Sequence, residues 1–224
     1  MTKLKLIGLG WNALTEIISE LFGNLVHLTD LKLQLNSFDG SILESIGNLT
    51  KLTNLNLGLN MFQGMILRTI CSSWKLTSLD LKSKFLCGSF LFQSYVIKGS
   101  LPNDPGELAQ LRDIDFSCNS LTGFVSSLGL GKTSQVLYLN LSATLITGGV
   151  PIEVASLPKL VTLDLSANEL GGEIPPSLGN VVTLSYIDLS ATRVMGALPK
   201  SLGSLVSLKH LGSFHEPPIC SYSG

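Results

Sequence analysis

Apolar residues along the chain follow a pattern that recurs about every 24 residues. Asn36 and Asn60, for example, each follow apolar residues placed three, five and eight positions earlier. Two apolar residues separated by one variable residue are typical of a short strand, because alternate side chains of a strand point to opposite faces. The pattern therefore predicts a series of short strands, each with one apolar face.

The residue that follows each predicted strand defines an anchor position. The anchors are Asn12, Asn36, Asn60, Lys84, Asn119, Thr144, Asn168 and Thr192. A glycine lies four positions after every anchor except the first, where Glu16 stands. We expect each anchor asparagine to turn inward and to satisfy backbone groups at the strand end with its amide. Threonine can do part of this, whereas lysine cannot accept a hydrogen bond, so Lys84 predicts an irregular turn.

One such repeat cannot bury its apolar face alone, but stacked repeats share a continuous core. The sequence therefore predicts one domain over 1–224 of the α/β class, a solenoid of about eight 24-residue repeats over 4–211. A parallel β-sheet forms its concave face, and 212–224 are a tail outside the repeats. The step from Lys84 to Asn119 is 35 residues, and we assign an insertion to about 89–98. That insertion packs its own aromatic residues, forms a truncated repeat or is a loop at the edge of a ligand site.

The segment from Leu160 to Asn180 carries the form Leu-x-x-Leu-x-Leu-x-x-Asn-x-Leu-x-Gly-x-Ile-Pro-x-x-Leu-Gly. It resembles the plant-type leucine-rich repeat of receptor-like kinase and receptor-like protein ectodomains and of polygalacturonase-inhibiting proteins. The resemblance extends from about Leu4 to Leu211. It implies an extracellular or cell-surface protein that recognises a protein or peptide. No secretion signal or membrane span is read in the sequence, and an intracellular location stays open.

Variable residues between the inward leucines should face solvent on the concave sheet. Tyrosine is favoured at interfaces because it combines a large area with a polar tip. The predicted ligand-binding residues on this face are Asp113, Asp115, Tyr138, Asp164, Tyr186 and Asp188. Asp80, Asp115, Asp164 and Asp188 also have a structural interpretation, because they share one column of the sheet and the Leu-Asp-Leu-Ser phrase is common in the repeat family that this sequence resembles.

A second candidate surface is apolar and lies near the N-terminal repeats. It comprises Trp11, Leu35, Leu59, Met61 and Phe85. Exposed apolar patches often mark partner sites. The alternative is that these residues cover the end of the core.

Candidate chemistry is sparse. Charged residues make up 14% of the chain and the formal net charge is -1, which gives no electrostatic basis for nucleic-acid binding. No nucleophile and base occur in a recognisable arrangement, so we predict no catalytic residue and no cofactor. His210, His215 and Cys220 have a spacing too weak to predict a metal site. Two Asn-x-Ser/Thr sequons predict glycosylation at Asn48 and Asn140 if the chain is secreted.

Three functions remain for a non-catalytic recognition module. The first is an extracellular receptor-like ectodomain or fragment that binds a peptide or protein, with a possible co-receptor. The second is an inhibitor that blocks a cell-wall hydrolase with the same face. The third is an intracellular scaffold or assembly subunit.

Overall fold

The structure is a computed structural model, and it describes residues 3–66, 70, 75–83, 96–101, 110–129 and 135–212. In these ranges the strands β1 to β17, numbered in chain order, form parallel sheets. The concave sheet contains β1 (Leu6–Gly8), β3 (Asp30–Lys32), β5 (Asn54–Asn56), β7 (Ser78–Asp80), β9 (Asp113–Asp115), β11 (Tyr138–Asn140), β13 (Thr162–Asp164), β15 (Tyr186–Asp188) and β17 (His210–Gly212). The predicted parallel ladder is confirmed.

The register of the concave sheet stacks the central residue of each strand on that of the next. Leu31 pairs with Leu55, and Leu163 pairs with Ile187. All four side chains are at 0% exposure, because each lies between its neighbours in one continuous core. A ninth strand, β17, follows the strands of the eight predicted repeats and ends at Gly212.

A second sheet lies after the anchor positions, and the sequence pattern did not predict it. It contains β6 (Gly64–Met65), β8 (Ile97–Ser100), β10 (Ser120–Phe124), β12 (Leu145–Gly148), β14 (Glu169–Glu173) and β16 (Arg193–Met195), while β2 (Thr15–Ile17) pairs with β4 (Ser37–Asp39). The repeat glycines enter it with positive φ angles, for example 79° at Gly172. Glu16 has the same bend, with φ of 70°, although an L side chain disfavours that conformation.

Short 3₁₀ helices occupy the outer side of the repeats. They span Glu20–Asn24, Glu44–Asn48, Val125–Leu128, Ile152–Ser156, Pro176–Asn180 and Lys200–Ser204. Each coil therefore runs from the concave sheet through the second sheet to the outer side.

The anchor asparagines Asn36, Asn60, Asn119 and Asn168 are buried and bind backbone groups, as predicted, whereas Asn12 is exposed. Asn168 donates from Nδ2 to the carbonyl oxygens of Leu141, Leu165 and Ser166, at 2.8, 3.1 and 3.1 Å. Its Oδ1 accepts from the backbone N–H of Ile146 at 3.1 Å. Asn36, Asn60 and Asn119 repeat this pattern. These amides tie each coil to the one before it.

The last two residues of the predicted insertion belong to a regular strand instead. Ile97 and Lys98 belong to β8, and the N–H of Ile97 donates to Oδ1 of Asn119 at 3.0 Å. Phe38 makes the same bond to Asn60 from the position two residues after its own anchor. Ile97 and Lys98 are thus regular repeat positions and do not belong to an insertion. Lys84, Phe85 and residues 89–95 lie outside the described residues.

Candidate functional site

The aspartate column of the concave sheet forms a continuous series of turns at the strand ends. Oδ1 of Asp164 accepts from the backbone N–H and the hydroxyl of Ser166, at 3.0 and 2.7 Å. The same bond to the N–H two residues later is made by Asn56, Asp80, Asp115, Asn140 and Asp188. A side-chain oxygen that accepts in this way mimics a backbone turn. The structural interpretation of the Leu-Asp-Leu-Ser phrase is therefore supported.

The second carboxylate oxygens of two aspartates contact the tyrosines. The hydroxyl of Tyr138 donates to Oδ2 of Asp115 at 3.4 Å and accepts from Nδ2 of Asn140 at 3.1 Å. The hydroxyl of Tyr186 donates to Oδ2 of Asp188 at 3.3 Å. The predicted tyrosines and aspartates thus form joined pairs on one face.

His210 extends this group and was not among the predicted ligand-binding residues. Its ring stacks on Tyr186 with centroids 4.3 Å apart and planes at 8°. Its Nε2 lies 3.9 Å from Oδ2 of Asp188. Its position could have been predicted from the sequence, because His210 follows Tyr186 by one 24-residue period. In the structure the two residues pair in register. We call Asp113, Asp115, Tyr138, Asp164, Tyr186, Asp188 and His210 the Tyr–Asp face.

Burial and neighbouring carboxylates alter the ionisation of this sheet. Burial raises the pKa of Asp80 to about 6, and the charge of Asp115 on the adjacent strand also raises it. Burial raises the pKa of Asp164, and it raises the pKa of Tyr186 to about 12. The pKa of Tyr138 is raised by the same cause. Closely spaced acidic groups that share a partly desolvated face favour a partner with cationic or hydrogen-donating groups.

The remaining Tyr–Asp face residue, Asp113, is exposed on β9 and pairs in register with Tyr138. Burial raises the pKa of its carboxyl, while the nearby Arg112 lowers it. All six predicted ligand-binding residues therefore lie on the C-terminal part of one sheet. Their role in binding stays a prediction.

The predicted apolar surface is less uniform. Trp11 is 66% exposed, whereas Leu35, Leu59 and Met61 are half-buried. Trp11, Leu35 and Leu59 do not lie on the sheet itself, because each has a positive φ near 60° in the bend that follows its strand. Their role as a partner surface stays a prediction.

The exposure of the residue that precedes the anchor differs from one repeat to another. In the same column as Trp11 and Leu35, Cys118 is only 5% exposed and is disulfide-bonded. The disulfide was not predicted, because the four cysteines are far apart in the chain.

Other chemistry is limited in the part of the chain that the structure describes. There, no cluster of three or more histidine, cysteine or acidic side chains could hold a metal ion. Among the same residues, no helix has the length and apolar character to cross a membrane. His215 and Cys220 lie outside the described ranges.

Comparisons with known proteins agree with this architecture. The Leucine Rich Repeat family model matches residues 159–181. A search of curated proteins finds no match. The plant peptide hormone receptor RGFR1, solved in complex with RGF2, is 29% identical over 96% of this chain and 32% of its own, with a TM-score of 0.85.

Two further structures are similar. The Arabidopsis receptor kinase HAESA, in complex with the peptide hormone IDA and the co-receptor SERK1, is 28% identical over 94% of this chain and 37% of its own, with a TM-score of 0.73. A plant ice-binding protein is 23% identical over 95% of this chain and 64% of its own, with a TM-score of 0.75, which shows the fold alone. The chain spans 32% and 37% of the two receptor structures. The repeat pattern and these similarities show a leucine-rich repeat fold that is similar to the fold of plant receptors.

Proposed function

We propose that this chain is a non-catalytic recognition module that binds a peptide or protein across the Tyr–Asp face. The observation that carries this proposal is the joined set of tyrosine, histidine and aspartate side chains on one open sheet. The similar plant structures include receptors described as complexes with peptide hormones. A ligand with basic residues suits the face, because its carboxylates attract cations across a partly buried surface.

The proposal includes an extracellular or cell-surface location. The disulfide at Cys118 favours an oxidising compartment over the cytosol, because cytosolic thiols are kept reduced. It therefore favours a receptor-like module over the intracellular scaffold. Inhibition of a cell-wall hydrolase would use the same face and remains the second candidate function. A separate partner contact is proposed for the apolar residues Trp11, Leu35, Leu59, Met61 and Phe85.

The test uses peptides selected from a random display library against the full chain. Asp164→Asn combined with Asp188→Asn removes two charges and keeps the turns, since Asn56 and Asn140 already make the same bond in this column. The control combines Glu20→Gln with Glu44→Gln, because both residues are exposed and begin outer 3₁₀ helices.

We expect the selected peptides to be rich in Arg and Lys. The Asp164/Asp188 variant should weaken their binding about tenfold or more at low salt, and the control pair should leave it unchanged. Tyr186→Ala should also weaken binding, because it removes the ring against which His210 stacks. Equal affinities for the wild type and the Asp164/Asp188 variant would remove the Tyr–Asp face as the binding site.

A further inference from the structure

The two sequons of the chain lie in different surroundings. Asn48 ends the outer 3₁₀ helix Glu44–Asn48, and both Asn48 and Thr50 are exposed. Between them, Leu49 is 1% exposed and holds the segment to the core. The acceptor and its hydroxyl residue therefore both face solvent, beside a shallow groove whose lining includes Leu43, Glu44 and Met65.

Asn140 lies in β11 on the concave sheet and is 8% exposed. Its Oδ1 accepts from the backbone N–H of Ser142 at 2.9 Å and from the Ser142 hydroxyl at 2.7 Å. Its Nδ2 donates to the hydroxyl of Tyr138 at 3.1 Å. The amide that would carry a sugar is thus engaged within the sheet, and Ser142, the hydroxyl residue of the sequon, is only 6% exposed.

We propose that Asn48 is the N-glycosylation acceptor of this chain and that Asn140 stays unmodified in the folded protein. The donor is an oligosaccharide joined to a lipid diphosphate. Nδ2 of Asn48 forms a bond to the anomeric carbon of the sugar, the bond from that carbon to the diphosphate oxygen breaks, the lipid diphosphate leaves, and the Nδ2 proton passes to a base of the transferase.

A glycan on Asn140 is incompatible with the observed sheet. Attachment at Nδ2 would displace the Tyr138 hydroxyl and would place a bulky polar group over the Tyr–Asp face. A chain modified there before folding could not make these contacts. The secretory pathway should therefore export the form that carries sugar on the outer side only, where it leaves the concave face open to a ligand.

This inference rests on the secretion that the proposed function includes. The experiment therefore supplies the compartment: the full chain is expressed behind a cleavable secretion signal in a eukaryotic host. Glycan occupancy is read on the secreted protein by intact mass and by glycopeptide mapping after peptide N-glycosidase treatment. Peptide binding is measured separately on unglycosylated chain, so that a failure of the binding proposal is distinguishable from a failure of this one.

We expect one glycan, located on Asn48. Asn48→Gln and Thr50→Ala should each abolish it. Asn140→Asp removes the second sequon and keeps the oxygen that accepts from Ser142, as Asp115 and Asp164 do in the same column, so it should leave glycan number unchanged.

Val182→Thr provides a matched positive control. It creates a new sequon at Asn180, which ends the outer 3₁₀ helix Pro176–Asn180 and is exposed like Asn48. We expect this variant to carry two glycans. Sugar on Asn140 of the secreted wild-type protein would overturn the proposal, and so would an unoccupied Asn48 in a preparation where Asn180 becomes occupied.

Discussion

Replacing Asp80 by asparagine should stabilise the protein at neutral pH. Burial is the main cause that raises the pKa of Asp80 to about 6 from its ordinary value of 3.8, and the Asp115 carboxylate raises it further. A buried carboxyl whose folded-state pKa is raised binds its proton more tightly when folded. The free energy of unfolding therefore falls as pH rises from about 4 to about 6 and is level above that range.

The magnitude follows from the two pKa values. The rise from 3.8 to about 6 corresponds to roughly 3 kcal/mol at neutral pH, since one pKa unit equals about 1.4 kcal/mol. Asparagine removes this penalty and keeps an oxygen that accepts from the backbone N–H of Lys82. In the wild type Oδ1 of Asp80 accepts this bond at 3.0 Å. Asn56 on the neighbouring strand already does this for Gly58. We expect Asp80→Asn to raise the free energy of unfolding by about 1–3 kcal/mol at pH 7.5.

The assay is urea unfolding followed by circular dichroism between pH 4 and pH 8. The gain from Asp80→Asn should be small at pH 4 and should grow to a plateau above about pH 6. Asp80→Ala is the matched control, because it also removes the charge but leaves the Lys82 N–H without its acceptor, and it should be less stable than Asp80→Asn at every pH. A stability difference between Asp80→Asn and wild type that does not change with pH would refute the reasoning.

Two other predictions concern the repeat geometry, and urea unfolding tests both. Glu16→Gly should raise the free energy of unfolding by about 0.5–1 kcal/mol, because it relieves a positive φ of 70°. Its control, Glu20→Gly in a 3₁₀ helix, should lower the free energy of unfolding by about the same amount. Effects of the same sign would contradict this prediction. Asn168→Ala should lower the free energy of unfolding by about 3–5 kcal/mol, because it leaves the carbonyl and N–H partners of a buried amide unpaired. Asn12 is exposed, so Asn12→Ala should lower it by less than about 1 kcal/mol. Similar losses from the two asparagine variants would show that the buried amide series contributes little.

Much of the candidate site was predictable because the repeat converts sequence spacing into spatial order. Tyr138 and Tyr186 share one column, and Asp164 and Asp188 share another, since parallel strands in register place equivalent residues side by side. His210 could have been found by one more step of 24 residues. The Cys118 disulfide could not, because spacing along the chain does not determine which cysteines come close together.

The period of the apolar residues alone determined the stacked coils, the concave sheet and the inward asparagines. These features are local, because each coil has the same spacing of apolar residues and contacts chiefly its neighbouring coils. The second sheet and the different burial of the Asn48 and Asn140 sequons depended on the tertiary structure. Backbone bends bring separate coils together, and the two sequons then receive different burial and hydrogen-bond partners.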